Sequence, residues 1–317
     1  MDGSHATGKA THTITGVLKP VPPFDFEQSL DFLVTFPPMR GEQTLTETSL
    51  TRAISIAGRP LAFKVWSTGT VSEPELHYEL YGIDEALQER LTEALLQRLV
   101  DYLSLNDDLR PFYELVDSDP PFVPIRNELY GYHQVKFLTP FENACWALLA
   151  QRNLPVIAQR MKRALTRELS GSIEVNGVRY WPFPEAAAVA ETDPAELTQI
   201  LRNRRRAEYI RGAAVAFAGV DEHFLREAPY DKVVAWLRQI PGIGEWSAVF
   251  IMIRGLGRMD RIVYDERSLA HLATQVYKPG HELDAHEMRR LADHYGNLQG
   301  YWAHYLRVAG RILLSKD

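Results

Sequence analysis

Asp265 and Glu266 stand side by side just ahead of a helical pattern, downstream of Gln239-Ile-Pro-Gly-Ile-Gly-Glu-Trp246 and an apolar segment from Ser247 to Ile253. A carboxylate at a helix start is a cap, or it stabilises a developing positive charge and orients or deprotonates a water. The glycine stretch bears on which. Pro241 stops the preceding helix, while Gly242 and Gly244 can take positive φ and let another backbone come close. Unpaired amides at the start of the next helix, with the positive end of its dipole, bind an anion without any basic side chain. Gly242, Ile243, Gly244 and Glu245 are therefore candidate anion-binding residues, although Pro-Gly-Ile-Gly alone also reads as an ordinary turn.

The elements that must hold this arrangement are helices. Leu237 and Ile240 before the turn, then Trp246, Ala248, Val249, Ile251, Met252 and Ile253 after it, make a buried helix pair. From about residue 105 onward helical patterns dominate, several opening on a proline in the first turn. A polar insertion from Ser170 to Trp181 carries Asn176-Gly177, a hairpin turn signal. Residues 14–104 read differently: strand-like runs at Phe32–Phe36, Ala53–Ile56, Leu61–Trp66 and Leu76–Leu80, closed by a helix from Asp84 to Leu103. The expected organisation is a leader over 1–13, an α+β N-terminal domain over 14–104, and a mostly α-helical domain over 105–317.

Composition agrees with a globular protein. The 317 residues are 45% hydrophobic and 24% charged, enough for two domains. No apolar run approaches a membrane-spanning length, and the first residues do not form a signal peptide. The single cysteine, Cys145, excludes a disulfide framework and a four-cysteine iron–sulfur cluster, and fits a reducing cytoplasm. A net charge of −6 argues against a global positive field. Local clusters at Arg160, Lys162, Arg163 and Arg167, and at Arg202, Arg204, Arg205, Arg206 and Arg211, are solvated helix faces or a phosphate footprint. Gly3-Ser-His-Ala-Thr-Gly8-Lys9 falls short of a phosphate loop, because Ala10 replaces the magnesium-binding hydroxyl and no strand precedes it. The ten histidines show no metal-ligand spacing, and there is no Gly-x-Ser-x-Gly elbow.

Taken with Thr139-Pro-Phe-Glu142, Trp146-Ala-Leu-Leu-Ala-Gln151, Arg205-Arg-Ala207 and Arg258-Met-Asp260, the hairpin and the carboxylates make the chain resemble the helix-hairpin-helix DNA glycosylases, and within them the AlkA-like 3-methyladenine (alkylbase) glycosylases. The resemblance runs from roughly residue 110 to 315. It implies a base excision repair hydrolase that rotates a damaged nucleotide out of the duplex and cleaves its N-glycosidic bond through an oxocarbenium-like transition state stabilised by a carboxylate. Alkylated purines are the implied substrate, with another purine lesion such as hypoxanthine or 8-oxoguanine, or loss of catalysis with DNA binding retained, as alternatives. The implied partner is double-stranded DNA carrying a damaged base, bound by a monomer in the cytoplasm near the nucleoid. No cofactor is implied, and a monovalent cation at the hairpin carbonyls is compatible with the family.

The same resemblance assigns roles. In the ungapped register Glu266 stands where the family has its catalytic aspartate, and a one-residue shift would put Asp265 there, so both are carried as catalytic candidates. Trp246 occupies the position of the Schiff-base lysine of strand-cutting relatives, which implies a monofunctional enzyme using water. Trp246, Phe250, Tyr301 and Trp302 are base-pocket candidates; the direct match to the family's late pocket tryptophan is Leu298. Gln151, Arg152 and Asn153 lie where the family inserts a side chain into the gap left by the rotated nucleotide, with Arg152 or Asn153 as the filler. The first domain is expected not to be the main reader of damage.

Overall fold

The computed structural model describes residues 8, 9, 13–83 and 85–313. Among the described residues, eight strands fall in two sheets: β1 (Gly8–Lys9), β2 (Thr13–Leu18), β3 (Gln43–Leu45), β4 (Ser49–Ile56), β5 (Arg59–Ser67), β6 (Leu76–Tyr81), β7 (Ile173–Val175) and β8 (Val178–Tyr180). The larger sheet is antiparallel throughout, in the order β2-β6-β5-β4-β3. The smaller joins the β7–β8 hairpin to β1, which pairs in parallel with β7, so part of the expected leader is a strand. The hairpin turns at Asn176 (φ 52°) and Gly177 (φ 79°), the left-handed pair that an Asn-Gly turn supplies.

Fifteen α-helices are described: α1 (Phe26–Thr35), α2 (Gln88–Leu103), α3 (Arg110–Asp117), α4 (Val123–Glu128), α5 (Pro140–Ala150), α6 (Pro155–Leu169), α7 (Ala186–Glu191), α8 (Pro194–Leu201), α9 (Arg204–Gly219), α10 (Glu222–Glu227), α11 (Tyr230–Gln239), α12 (Glu245–Leu256), α13 (Arg267–Tyr277), α14 (Ala285–Asp293) and α15 (Gln299–Leu313). The strand expected at Phe32–Phe36 is instead the end of α1 and the residue after it. Asp25 caps this helix, accepting from the amides of Glu27 and Gln28, and Phe26, Leu30 and Leu33 bury one face. Capping and a helical stripe outweigh the strand preference of Phe-Leu-Val-Thr-Phe.

Apolar side chains from the sheet, from α1 and from the helices form one continuous core reaching from Phe24 to Ala309. A buried ionic cluster crosses it. Glu142 on α5 accepts from Arg52 on β4 at 2.7 Å and from Lys162 on α6 at 2.7 Å, and Lys162 also donates to the Pro38 carbonyl at 2.9 Å. Burial alone would push the Glu142 carboxyl up; Arg52 and then Lys162 more than reverse this and hold it below the usual carboxylate range. Together with Gln159, which donates to the Pro37 carbonyl, and Arg163, which donates to that of Arg40, this fastens the segment after α1 onto α6. That segment begins at Phe36, a wall of the site described next.

Candidate active site

α11, the glycine turn and α12 form a helix-hairpin-helix. Gly242 has φ +90°, and a Cβ there would lie 2.7 Å from Tyr209 and 2.9 Å from Leu148, so only glycine fits. Gly244 differs from expectation. It is the extended N-cap of α12 at φ −89°, and a Cβ built on it meets nothing. Among the described residues no side chain caps α12, which leaves its first amides without a side-chain partner.

The loop after α5 is tied to this hairpin. Gln151 donates through Nε2 to the Gly242 carbonyl at 2.7 Å. Arg206 on α9 donates to the carbonyls of Leu148, Leu149 and Gln151 at 3.1, 3.0 and 2.8 Å, satisfying the end of α5. Arg152 is exposed in a left-handed conformation at φ 53°. Asn153, one of the two expected gap fillers, turns its amide back onto the Leu149 carbonyl at 2.8 Å. The loop's outward apolar side chain is Leu154, 71% exposed, which the sequence reading passed over.

Beside the hairpin lies a cavity of about 200 Å³ lined by Phe32, Phe36, Trp246, Val249, Phe250, Ile253, Arg254, Ile262, Val263, Glu266, His304, Arg307 and Val308. It is smaller than the roughly 300 Å³ at which drug-sized pockets begin, on the scale of one heterocycle. Trp246 stacks on Phe250 with centroids 5.1 Å apart and planes 9° from parallel. The Arg254 guanidinium is buried over Phe32 at 4.9 Å and Phe36 at 4.7 Å, with His304 within hydrogen-bond distance at 3.2 Å.

Of the two carboxylates, Glu266 lines the cavity and Asp265 is exposed outside its lining. Glu266 Oε2 accepts from Trp246 Nε1 at 3.0 Å and from Arg307 at 2.6 Å, and Oε1 accepts from Ser268 Oγ at 2.7 Å. It is the N-cap residue of α13, yet its side chain makes no capping bond to that helix, so the cap reading fails here.

Of the four aromatic candidates, Trp246 and Phe250 line this cavity and Tyr301 and Trp302 do not. Both are buried away from the cavity: Tyr301 donates to Asp107 and packs on Phe112, and Trp302 donates to the Tyr277 hydroxyl at 3.0 Å and stacks on Tyr295. Tyr301 sits a helical turn below His304, level with α3 rather than with α12, and Trp302 points to the far side of α15. Burial, then Asp107, pushes the Tyr301 phenol well above its ordinary value, which keeps it a fixed donor. The side chains that α15 does send to the cavity are His304, Arg307 and Val308. Spacings i, i+3, i+4 were the available signal, as was the stripe Trp246, Val249, Phe250, Ile253, Arg254 on α12.

The fold places these elements among known structures. The 3-methyladenine DNA-glycosylase from Archaeoglobus fulgidus superposes with a TM-score of 0.78 at 22% identity, covering 94% of this chain and 98% of that one. The 8-oxoguanine glycosylase/lyase of Clostridium acetobutylicum, solved in complex with double-stranded DNA, superposes with a TM-score of 0.69 at 14% identity over 96% and 99% of the two chains. This chain has the helix-hairpin-helix DNA glycosylase fold. In sequence it is 26% identical over 216 residues to the DNA-3-methyladenine glycosylase of Bacillus subtilis, 68% of this chain and 71% of that one, and so is a homologue of that enzyme. No protein-family model matches the chain. Within this glycosylase fold, the first 104 residues supply Phe32 and Phe36 to the cavity wall, so the N-terminal part takes a direct share in the site. Among the described residues no group of His, Cys, Asp and Glu side chains could hold a metal ion, and no helix is long and apolar enough to cross a membrane.

Proposed function

We propose that this chain is a monofunctional DNA glycosylase of base excision repair, which flips an alkylated purine of the 3-methyladenine type into the cavity and hydrolyses its N-glycosidic bond as a monomer without a cofactor. One observation carries the reading: a single carboxylate, Glu266, lies in a base-sized aromatic cavity whose wall residue Trp246 belongs to the first turn of the uncapped helix α12. The open face at Gly244 and the amides behind it receive a backbone phosphate, which sets the neighbouring deoxyribose near Glu266. Arg152 and Leu154, projecting from the loop that Gln151 ties to the hairpin, fill the gap in the duplex.

As the C1′–N bond breaks, its electron pair leaves with the base and the ionised Glu266 stabilises the oxocarbenium character of the sugar. Water then adds through oxygen to C1′ and gives up a proton. Trp246 has no amine to form a Schiff base, so the strand is left uncut. Phe32 and Phe36 already face the Arg254 guanidinium, which leaves the Trp246 ring as the stacking partner for a cationic base, worth about 0.5–2 kcal/mol.

The test is base release from methylated DNA and from duplexes holding hypoxanthine or 8-oxoguanine, by wild type, Glu266→Gln and Asp265→Asn. Release of 3-methyladenine by wild type and Asp265→Asn, with a loss of about 100-fold or more in Glu266→Gln, is expected. A wild-type protein that releases no base, or an Asp265→Asn variant that is the inactive one, refutes the proposal.

A further inference from the structure

Glu266 is longer by one methylene than the aspartate that the resemblance places at its position, and the added rotatable bond must be restrained if the carboxylate is to meet a sugar at a fixed place. The structure shows the restraint. Oε2 accepts both the Trp246 indole N–H at 3.0 Å and an Arg307 N–H at 2.6 Å, whereas Oε1 accepts only Ser268 Oγ among the described residues. A carboxylate oxygen has two acceptor directions, so Oε2 is filled and Oε1 keeps one. The donors are themselves fixed: the indole lies nearly parallel to the Phe250 ring, and Arg307 is anchored on its own helix through the Ala303 carbonyl at 3.3 Å.

We infer that Trp246 and Arg307 are positioning residues that pin Glu266 Oε2 and present Oε1 to the flipped nucleotide. This rests on the glycosylase reading above, and it gives Trp246 a task that stacking alone does not require. Phenylalanine would keep an aromatic ring against Phe250 while removing the N–H together with part of the indole's stacking area. Because Trp246 is 45% exposed, that exchange leaves the core intact.

Single-turnover release of 3-methyladenine and affinity for an abasic-site duplex are to be measured for wild type, Trp246→Phe, Arg307→Met, Arg307→Lys and Glu266→Gln. Trp246→Phe is expected to slow the chemical step about ten-fold or more while its Kd for abasic DNA stays within about two-fold, because the lost bond orients a charge and does not grip the strand. Arg307→Met is expected to lose at least as much, and Arg307→Lys, which keeps a cationic donor, to recover about ten-fold of it. A Trp246→Phe rate within about two-fold of wild type, losses confined to Kd, or no recovery by lysine overturns the inference while leaving the glycosylase reading standing. If wild type and Glu266→Gln alike release nothing, the glycosylase reading falls and takes this one with it.

Discussion

Replacing Lys162 by methionine tests whether the buried ionic cluster of Arg52, Glu142 and Lys162 holds the molecule together. Lys162 is fully buried and Glu142 is 1% exposed, so their interaction is not screened by water. Methionine fills much of the lysine stem's volume but leaves Glu142 with Arg52 as its remaining cation, and removes the donor to the Pro38 carbonyl. Breaking a buried pair by removing one member costs about 3–5 kcal/mol, which at ~2 °C per kcal/mol for a chain of this length lowers Tm by about 6–10 °C at pH 7. Thermal unfolding followed by circular dichroism measures it.

The pH dependence supplies a sharper check. In wild type the Glu142 carboxyl is depressed below its unfolded value, so its contribution to stability is complete above about pH 4.3 and is lost as pH falls through the lower folded value. In Lys162→Met, burial is opposed by Arg52 alone, the folded value rises, and the variant recovers stability on acidification as the buried carboxyl takes up a proton. The Tm gap is therefore widest at neutral pH and closes towards pH 4. A gap below about 2 °C at pH 7, or one that is constant from pH 7 to 4, refutes the reasoning.

The hairpin glycines divide by geometry. Gly242→Ala forces an alanine to φ +90° and a methyl into Tyr209 and Leu148, and is expected to cost about 1–3 kcal/mol of stability along with DNA affinity. Gly244→Ala meets no protein atom, so Tm should hold while abasic-duplex affinity, read by fluorescence anisotropy, falls about ten-fold; an unchanged affinity would remove the phosphate from that face. Arg206→Met leaves the carbonyls of Leu148, Leu149 and Gln151 without this donor and should lower stability by about 1–3 kcal/mol and slow nucleotide flipping, followed with 2-aminopurine beside the lesion, whereas unaltered flipping would detach the loop from the mechanism.

What could be read from the residues alone was what is written locally. Proline and glycine in Gln239–Trp246 dictate a turn whatever surrounds it, and most helices from α5 onward follow periodic apolar stripes that survive translation into packing; the six-residue α10 showed none. The cavity was legible on the strand of information that α12 carries, because Trp246 and Phe250 share a stripe with Arg254. It was not legible where distant segments converge. Phe32 and Phe36 read as a strand since aromatic and β-branched letters fit both a pleated sheet and a helix face, and what decided between them was the Asp25 cap together with the α6 side chains that grip Pro37, Pro38 and Arg40. On α15 the same ambiguity took another form: Tyr301 and Trp302 look like pocket aromatics, but a cavity is a property of the partner surface, and at their level the partner is α3, α13 and Tyr295 just after α14 rather than α12. The neighbouring Arg307 reaches Glu266 from 41 positions away, and no spacing rule links them. Which of Asp265 and Glu266 lines the cavity could thus be read only where three segments meet, by which of the two carboxylates finds the indole and the guanidinium.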